Sequence, residues 1–527
     1  MDWKPRSNEK FDGNFLEYMA RVRKIKDLDS YLDPPSSSLL SPTLLKNLKE
    51  AVKGVNEAIN NKERITVVAD VDPDGVISTY MAVDYLRKLD ADIGYVHAQR
   101  SDGHGVETVM DKIPSKTDLL LILDSSSNSV EECEMLSESM DIIIIDHHII
   151  TKDNPHVLLV NPQQQSNYPK SVCAAYLVFK FIELMDYEHK KVNTDTYMGL
   201  TGLALLADNM AMTEDYPENR YLLNQCLSEV KNVGLLALIK AKKLNQNKLK
   251  TMDLSFQVVP LINSATRMDK IELAFDLLFE TDFKKAKKIA GQFLDINKER
   301  KAILEELSVH AREVAIHEKV IIVVSDKTTK NFNGLVAMQL TSEFGKPAIV
   351  LQNESHSGSY RSPEHIDMMK ILNKCPYAEY AAGHKCAGGT QILPENLDNF
   401  IQWINEYFKD EDFEPTITYD VEIDDDEFDL DLVKEIMKFD RIHGNGVSPV
   451  IARVNNIVIE ERQLFPKTQE HLKIIADDDF EMLKFGDPEY KPDVDTLSII
   501  DVLGKVGIND FKGVSKQIII DDLFENN

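Results

Sequence analysis

Residues 142–150 read IIIIDHHII. Four consecutive isoleucines have no polar face, so they fit a strand buried on both sides, as in parallel sheets covered by helices. The aspartate and two histidines that follow bind protons and metals, and they stand where such a strand ends. Two upstream segments, ERITVVADVD (63–72) and DLLLILDSS (118–126), are also apolar runs that close on aspartates, Asp70 and Asp124. HVLLVNP (156–162) reads as a further strand, while STYMAVDYLRKL (78–89) and SVCAAYLVFKFIELM (171–185) read as helices. This alternation predicts an α/β fold with a parallel sheet. Ligands of such sheets sit at the carboxyl ends of the strands, which puts Asp70, Asp124 and Asp146 on one rim, outside the core.

The wider composition bounds the function. A chain of 527 residues has room for roughly three to four domains. Hydrophobic content of 43% and charged content of 28% are those of a folded protein. No apolar run approaches the roughly 20 residues that span a bilayer, and MDWKPRSNEK holds no apolar signal core, so a cytosolic protein without a membrane partner is expected. The five cysteines show no paired spacing and read as reduced thiols. A net charge of −28 argues against coating nucleic acid by bulk electrostatics, so any such contact needs a local basic groove or bound cations. The acidic runs VEIDDDEFDLDLVKE (421–435) and ADDDFE (476–481) read as solvated faces.

Further along, Phe283 to Ile316 carries a helical stripe of apolar residues, enough for a rod of roughly 45 Å joining two lobes. A second, smaller α/β unit follows, with KVIIVVSD (319–326), PAIVLQN (347–353) and the glycine-rich AAGHKCAGGTQIL (381–393). After residue 415, short segments with turn signals fit a small antiparallel barrel or sandwich.

The chemistry gathers in few places. ADVDPDGVIST (69–79) sets Asp70, Asp72 and Asp74 at alternate positions between a strand and a helix, where their charges repel unless a cation neutralises them. A calcium loop of the EF-hand kind would want a glutamate at the twelfth position from Asp70, and Met81 stands there. Asp124 and, in LLADNMAMT (205–213), Asp208 follow other apolar runs; singly each reads as a cap or turn former. With His147 they make the oxygen and nitrogen donor set that suits Mn²⁺ or Mg²⁺, and no thiolate joins them to suggest zinc.

The series D-V-D-P-D-G, Asp124, DHH and Asp208 resembles the DHH phosphoesterase superfamily, most closely its RecJ-type single-strand exonucleases. The resemblance runs through PLINSATRMD (260–269), LDINKERKAI (294–303), GSYRS (358–362), AGHKCAGG (382–389) and HGNGVSPVI (443–451), in order along nearly the whole chain. It implies a DHH catalytic domain (1–282), a bridging helix (283–317), a smaller DHH-associated α/β domain (318–410) and a C-terminal OB-like barrel (415–527). It implies two Mn²⁺ or Mg²⁺ ions on Asp70, Asp72, Asp74, Asp124, His147 and Asp208, with Asp124 as the bridge and Asp146 orienting His147. His148 and His384 would face the scissile phosphate, and Arg100, Ser359 and Arg361 would hold a 5′-phosphate. The implied activity is 5′→3′ hydrolysis of single-stranded DNA to mononucleotides by metal-activated water. Single-strand-binding proteins or helicases are the implied partners. Two rivals are a phosphodiesterase of oligonucleotides or cyclic dinucleotides and a non-catalytic DNA-binding scaffold. One departure stands out: DSSS (124–127) replaces the usual Asp-Asn-Gly of the second motif.

Overall fold

The isoleucine run forms strand β4 (Asp141–Ile145) of a five-stranded parallel sheet. Its companions are β1 (Ile65–Ala69), β2 (Ile93–His97), β3 (Leu119–Leu123) and β5 (Leu158–Val160), in the order β2-β1-β3-β4-β5. Every residue of β1 and β3 is buried, which requires cover on both faces. Three helices supply part of it: α1 (Pro73–Arg87) packs on α2 (Ala174–His189) and α3 (Asp195–Ala207). Val68 pairs with Ile122 and Leu123 with Ile145, so β1, β3 and β4 end level. The acids just past those ends therefore share one rim. The edge strand β2 was not legible, because GYVH is only partly buried and has no continuous apolar run.

The computed structural model describes residues 2–413, 416–464, 471–476, 480–485, 494–509 and 514–526. The chain divides into two compact units that do not follow the linear order of domains. The larger comprises residues 41–208 and 228–414. Within it, helices α4 (Val233–Ala241) and α5 (Val259–Arg267) pack on the first part of α6 (Phe283–Val314), a rod of 32 residues and about 48 Å. The last part of α6 packs on α7 (Asn333–Phe344), which covers a second sheet. That sheet joins β6 (Ile316–His317), β7 (Ile321–Ser325), β8 (Ala348–Gln352), β9 (Ser357–Arg361), β10 (Tyr380–Gly383) and β11 (Ala387–Gln391) in the order β10-β11-β9-β8-β7-β6. Ile322, Ile349 and Tyr360 fill the core on one face, and Ile321, Val323 and Val350 the core on the other.

The smaller unit gathers residues 1–40, 209–227 and 415–527. Arg220, 1% exposed, ties these segments together by donating to the carbonyls of Tyr31, Met212 and Ile442 while stacking on the Tyr31 ring. Thr416–Tyr419 pairs in parallel with Asp2–Pro5, and the strands from Val421 onward form one seven-stranded sheet that is mostly antiparallel but holds two parallel pairs, Val421–Asp424 with Ile451–Val458 and Phe480–Lys484 with Ser515–Glu525. Among the described residues its two end strands, Val421–Asp424 and Glu461–Leu464, do not pair with each other. In the acidic run 421–435, Val421, Ile423 and Phe428 are buried while Glu422, Asp424 and Asp426 are exposed, as a solvated face requires. Part of the run 476–481 lies outside the described residues. No helix among the described residues is long and apolar enough to cross a membrane.

Candidate metal centre

At the rim of the first sheet two sets of groups converge. Asp70, Asp72 and Asp124 each offer an oxygen within 4.8 Å of the others, and so do the donor atoms of Asp74, His147 and Asp208. The sets touch: the His147 Nε2 lies 3.3 Å from Asp124 Oδ1 and 3.4 Å from Asp208 Oδ2.

Local structure explains how each acid is held. Asp72 caps α1, its Oδ1 accepting the N–H groups of Asp74 and Gly75, which leaves its other oxygen for the cluster. Asp74 accepts the Ala174 and Ala175 N–H groups at 2.6 and 2.9 Å, so α2 begins on this carboxylate. The turn from β1 into α1 is closed tightly, for a Cβ on Gly75 would lie 2.7 Å from the Asp70 carbonyl oxygen. Asp124 and Ser126 both adopt left-handed backbone, at φ 65° and 70°, which aspartate tolerates better than serine. Ser126 is held there with its Oγ accepting the Val106 N–H.

Burial without partners governs the electrostatics. Asp70 Oδ1, Asp124 Oδ1 and Asp208 Oδ2 are buried and receive no hydrogen bond. Burial, with the Asp72 charge, pushes the Asp70 pKa up to about 8 and that of Asp74 up to about 6. Asp124 and Asp208 rise well above the carboxylate range, through burial and then the charges of Asp74 and Asp72. Burial and the neighbouring His148 charge lower His147 to about 4, so its imidazole is neutral, the form that ligates metals. Orphaned carboxylate oxygens, repelling charges and a neutral imidazole fit hard divalent cations, with the donor types that Mn²⁺ and Mg²⁺ accept.

Asp146 takes a different place from the one expected. Its Oδ1 accepts the His148 ring Nδ1 at 2.7 Å and the His147 backbone N–H at 2.7 Å, so it orients the His148 side chain and only the backbone of His147. Burial would lower the His148 pKa, but the bond to Asp146 and the charges of Asp146, Asp208 and Asp70 raise it to about 10. The half-exposed His148 is therefore a fixed cationic donor beside the cluster. His384 stands exposed on the hairpin of β10 and β11, and its pKa falls through partial desolvation and the His148 charge. Ser359 and Arg361 share a face of β9 two residues apart. The Arg361 pKa is lowered by burial, with the Arg100 guanidinium adding to it.

The structure adds residues that the sequence did not single out. Arg267 at the end of α5 has its pKa lowered to about 9, by burial first and then by the charges of Arg100, Arg361 and Arg300. Arg267 and Arg300 sit inside segments that carry the family resemblance, but nothing in the spacing distinguished them from surface arginines. His104 is a third addition, its exposed ring reaching within 3.9 Å of Asp70 Oδ1.

Comparison with known proteins agrees with this layout. A model of the DHH family, N-terminal domain, matches residues 64–207, a DHHA1 domain model matches 317–410, and a RecJ OB domain model matches 419–522. Residues 64–207 thus carry the N-terminal domain of the DHH family. A prophage-derived protein of Bacillus subtilis, YorK, named for single-strand DNA-specific exonuclease activity, is 27% identical over 95% of this chain and 94% of its own length. The single-stranded-DNA-specific exonuclease RecJ of Haemophilus influenzae is 25% identical over 90% of this chain and 88% of its own. The solved structure of RecJ from Thermus thermophilus in complex with Mn²⁺ superposes with a TM-score of 0.82, at 20% identity, over 100% of this chain and 80% of its own. At that identity the likeness speaks for the fold.

Proposed function

We propose that this protein is a metal-dependent exonuclease of single-stranded DNA, working from the 5′ end and releasing mononucleotides. The observation that carries this reading is the pair of converging donor sets with three orphaned carboxylate oxygens. Asp70, Asp72 and Asp124 would hold one ion and Asp74, His147 and Asp208 a second, with Asp124 between them. When bound, Mn²⁺ or Mg²⁺ supplies Lewis-acid stabilisation of phosphoryl charge and lowers the pKa of water at the site.

The protein's own groups do the rest. His148, cationic and oriented by Asp146, donates to a phosphate oxygen beside the donor sets. His384 donates to the same phosphate from the second sheet. Arg100, Ser359 and Arg361, joined by Arg267 and Arg300, grip a terminal phosphate; guanidinium forks bind a dianion in two-point fashion, which favours a 5′-phosphorylated end. A cytosolic location and a protein partner for the C-terminal unit, such as a single-strand-binding protein or helicase, belong to the same proposal.

The test is a product ladder in Mn²⁺ with 5′-phosphorylated single strands labelled at either end, a blunt duplex control and the Asp208→Ala protein. Mononucleotides released from the 5′ end, absent in the variant and on duplex, are expected. Cutting restricted to oligomers of a few nucleotides would move the activity to small substrates. Tight binding without product in Mn²⁺ and in Mg²⁺ would mean a scaffold.

A further inference from the structure

In a chain of formal charge −28, residues 231–301 carry fifteen Lys and Arg against eight Asp and Glu. The excess collects where α4 ends and α6 begins. Lys284, Lys285, Lys287 and Lys288 are exposed on the first two turns of α6, and Lys240 and Lys243 are exposed at the end of α4. The Lys240 ammonium lies 5.0 Å over the Phe283 ring, so the two groups of lysines adjoin. These six form no ion pair among the described residues, whereas Lys231 and Lys270 nearby each have a glutamate.

Local electrostatics oppose this arrangement. The positive end of the helix macrodipole disfavours cations in the first turns. Lys284 and Lys288 are one turn apart, and like charges at that spacing repel. A face that merely needed charge for solubility would avoid the macrodipole penalty with acids, which are plentiful elsewhere in this chain. The same side of α6 continues, past exposed Asp295, to exposed Lys298, opposite buried Phe293 and Ile296. From Lys284 to Lys298 this face is about 21 Å long, enough for several nucleotides. Arg300, on the same helix, is instead half-buried and donates to Asn297 Oδ1.

We propose that this lysine strip is a docking surface for the phosphate backbone of a single strand beyond the nucleotides held at the metal centre. The inference rests on the exonuclease reading for the identity of the strand. It explains how an acidic protein retains a long polyanion: the attraction is local, and the rest of the surface repels.

The experiment uses the full chain carrying K284Q, K285Q, K287Q and K288Q together, with a companion in which the same four become arginine. Binding of a short and a long 5′-phosphorylated oligothymidylate is measured in chelator over a salt series, and turnover of both in Mn²⁺. The glutamine variant is expected to bind the long strand at least about tenfold more weakly. Its log–log salt slope should be shallower by roughly 2–3, at about 0.7 for each phosphate that the lysines no longer neutralise. Short-strand turnover should be unchanged, and the arginine variant should match the natural protein. An unchanged salt slope overturns the proposal. So does an equal loss on short and long strands, or displacement of the long strand by polyglutamate as readily as by DNA, which would assign the strip to an acidic protein segment. Should the natural protein cut neither strand, the exonuclease reading fails while the binding series still decides the strip.

Discussion

Two sets of buried aspartates in this protein meet opposite fates. In the smaller unit the Asp420 side chain is fully buried, and both oxygens are engaged: Arg6 approaches at 2.6 Å, Arg23 at 2.8 Å, and the Ile451 N–H donates at 3.0 Å. At the rim of the larger unit's first sheet, Asp70 and Asp124 are buried and Asp208 partly so, yet one buried oxygen of each accepts no hydrogen bond. A buried charge is tolerated when paired and hydrogen-bonded, and is costly otherwise. The paired acid is part of the fold. The unpaired ones are a cost that the fold carries for a ligand, and a divalent cation is the ligand that removes it.

That contrast can be broken at either end. The largest effect is expected from Asp124→Ala, which should lower exonuclease turnover in Mn²⁺ by on the order of 10³-fold or more. In chelator, Asp124→Asn should be at least as resistant to urea as the natural protein, because it removes an unpaired buried carboxyl. A marked loss of stability there would make Asp124 a structural acid like Asp420. Asp420→Ala strands two arginines and should lower the unfolding free energy by about 3–5 kcal/mol, read from urea titration. Saturating Mn²⁺ should stabilise the natural protein by about 2.7 kcal/mol at a hundredfold excess over Kd, and calorimetry should find this gain missing in Asp124→Ala.

The smallest effect concerns pH. Burial pushes the Asp440 pKa up to about 7, although both its oxygens accept the Val450 N–H. The folded state then holds this proton more tightly than the unfolded chain. Its contribution to stability is full below about pH 4 and is lost as pH rises through about 7, with a slope of at most ~1.4 kcal/mol per pH unit. Asp440→Asn should flatten the urea midpoint across that window, and an unaltered profile would remove Asp440 as the cause.

Much of this molecule is written in short range. Runs such as IIIID and LLLILD carry their own strand signal, because a fully buried strand needs continuous apolar residues, and their closing acids mark the rim without any knowledge of distant contacts. The long α6 is legible for the same reason, since its stripe repeats with the helical period over many turns. Strand β2 escaped because an edge strand buries little. The pairing of Asp146 with the His148 ring was beyond reach too, since adjacent histidines are equivalent in sequence and only the path of the chain after β4 decides which one turns back. The action of the Arg100, Arg361 and Arg300 charges on Arg267 depends on packing between segments far apart in the chain, as does the assembly of residues 1–40, 209–227 and 415–527 around Arg220. What the sequence determined by itself was the chemical vocabulary and the sheet that presents it, because periodicity and strand ends are local properties. Which carboxylates would find partners and which would be left for a cation was decided only in the tertiary structure, because pairing is a matter of where other segments bring their donors.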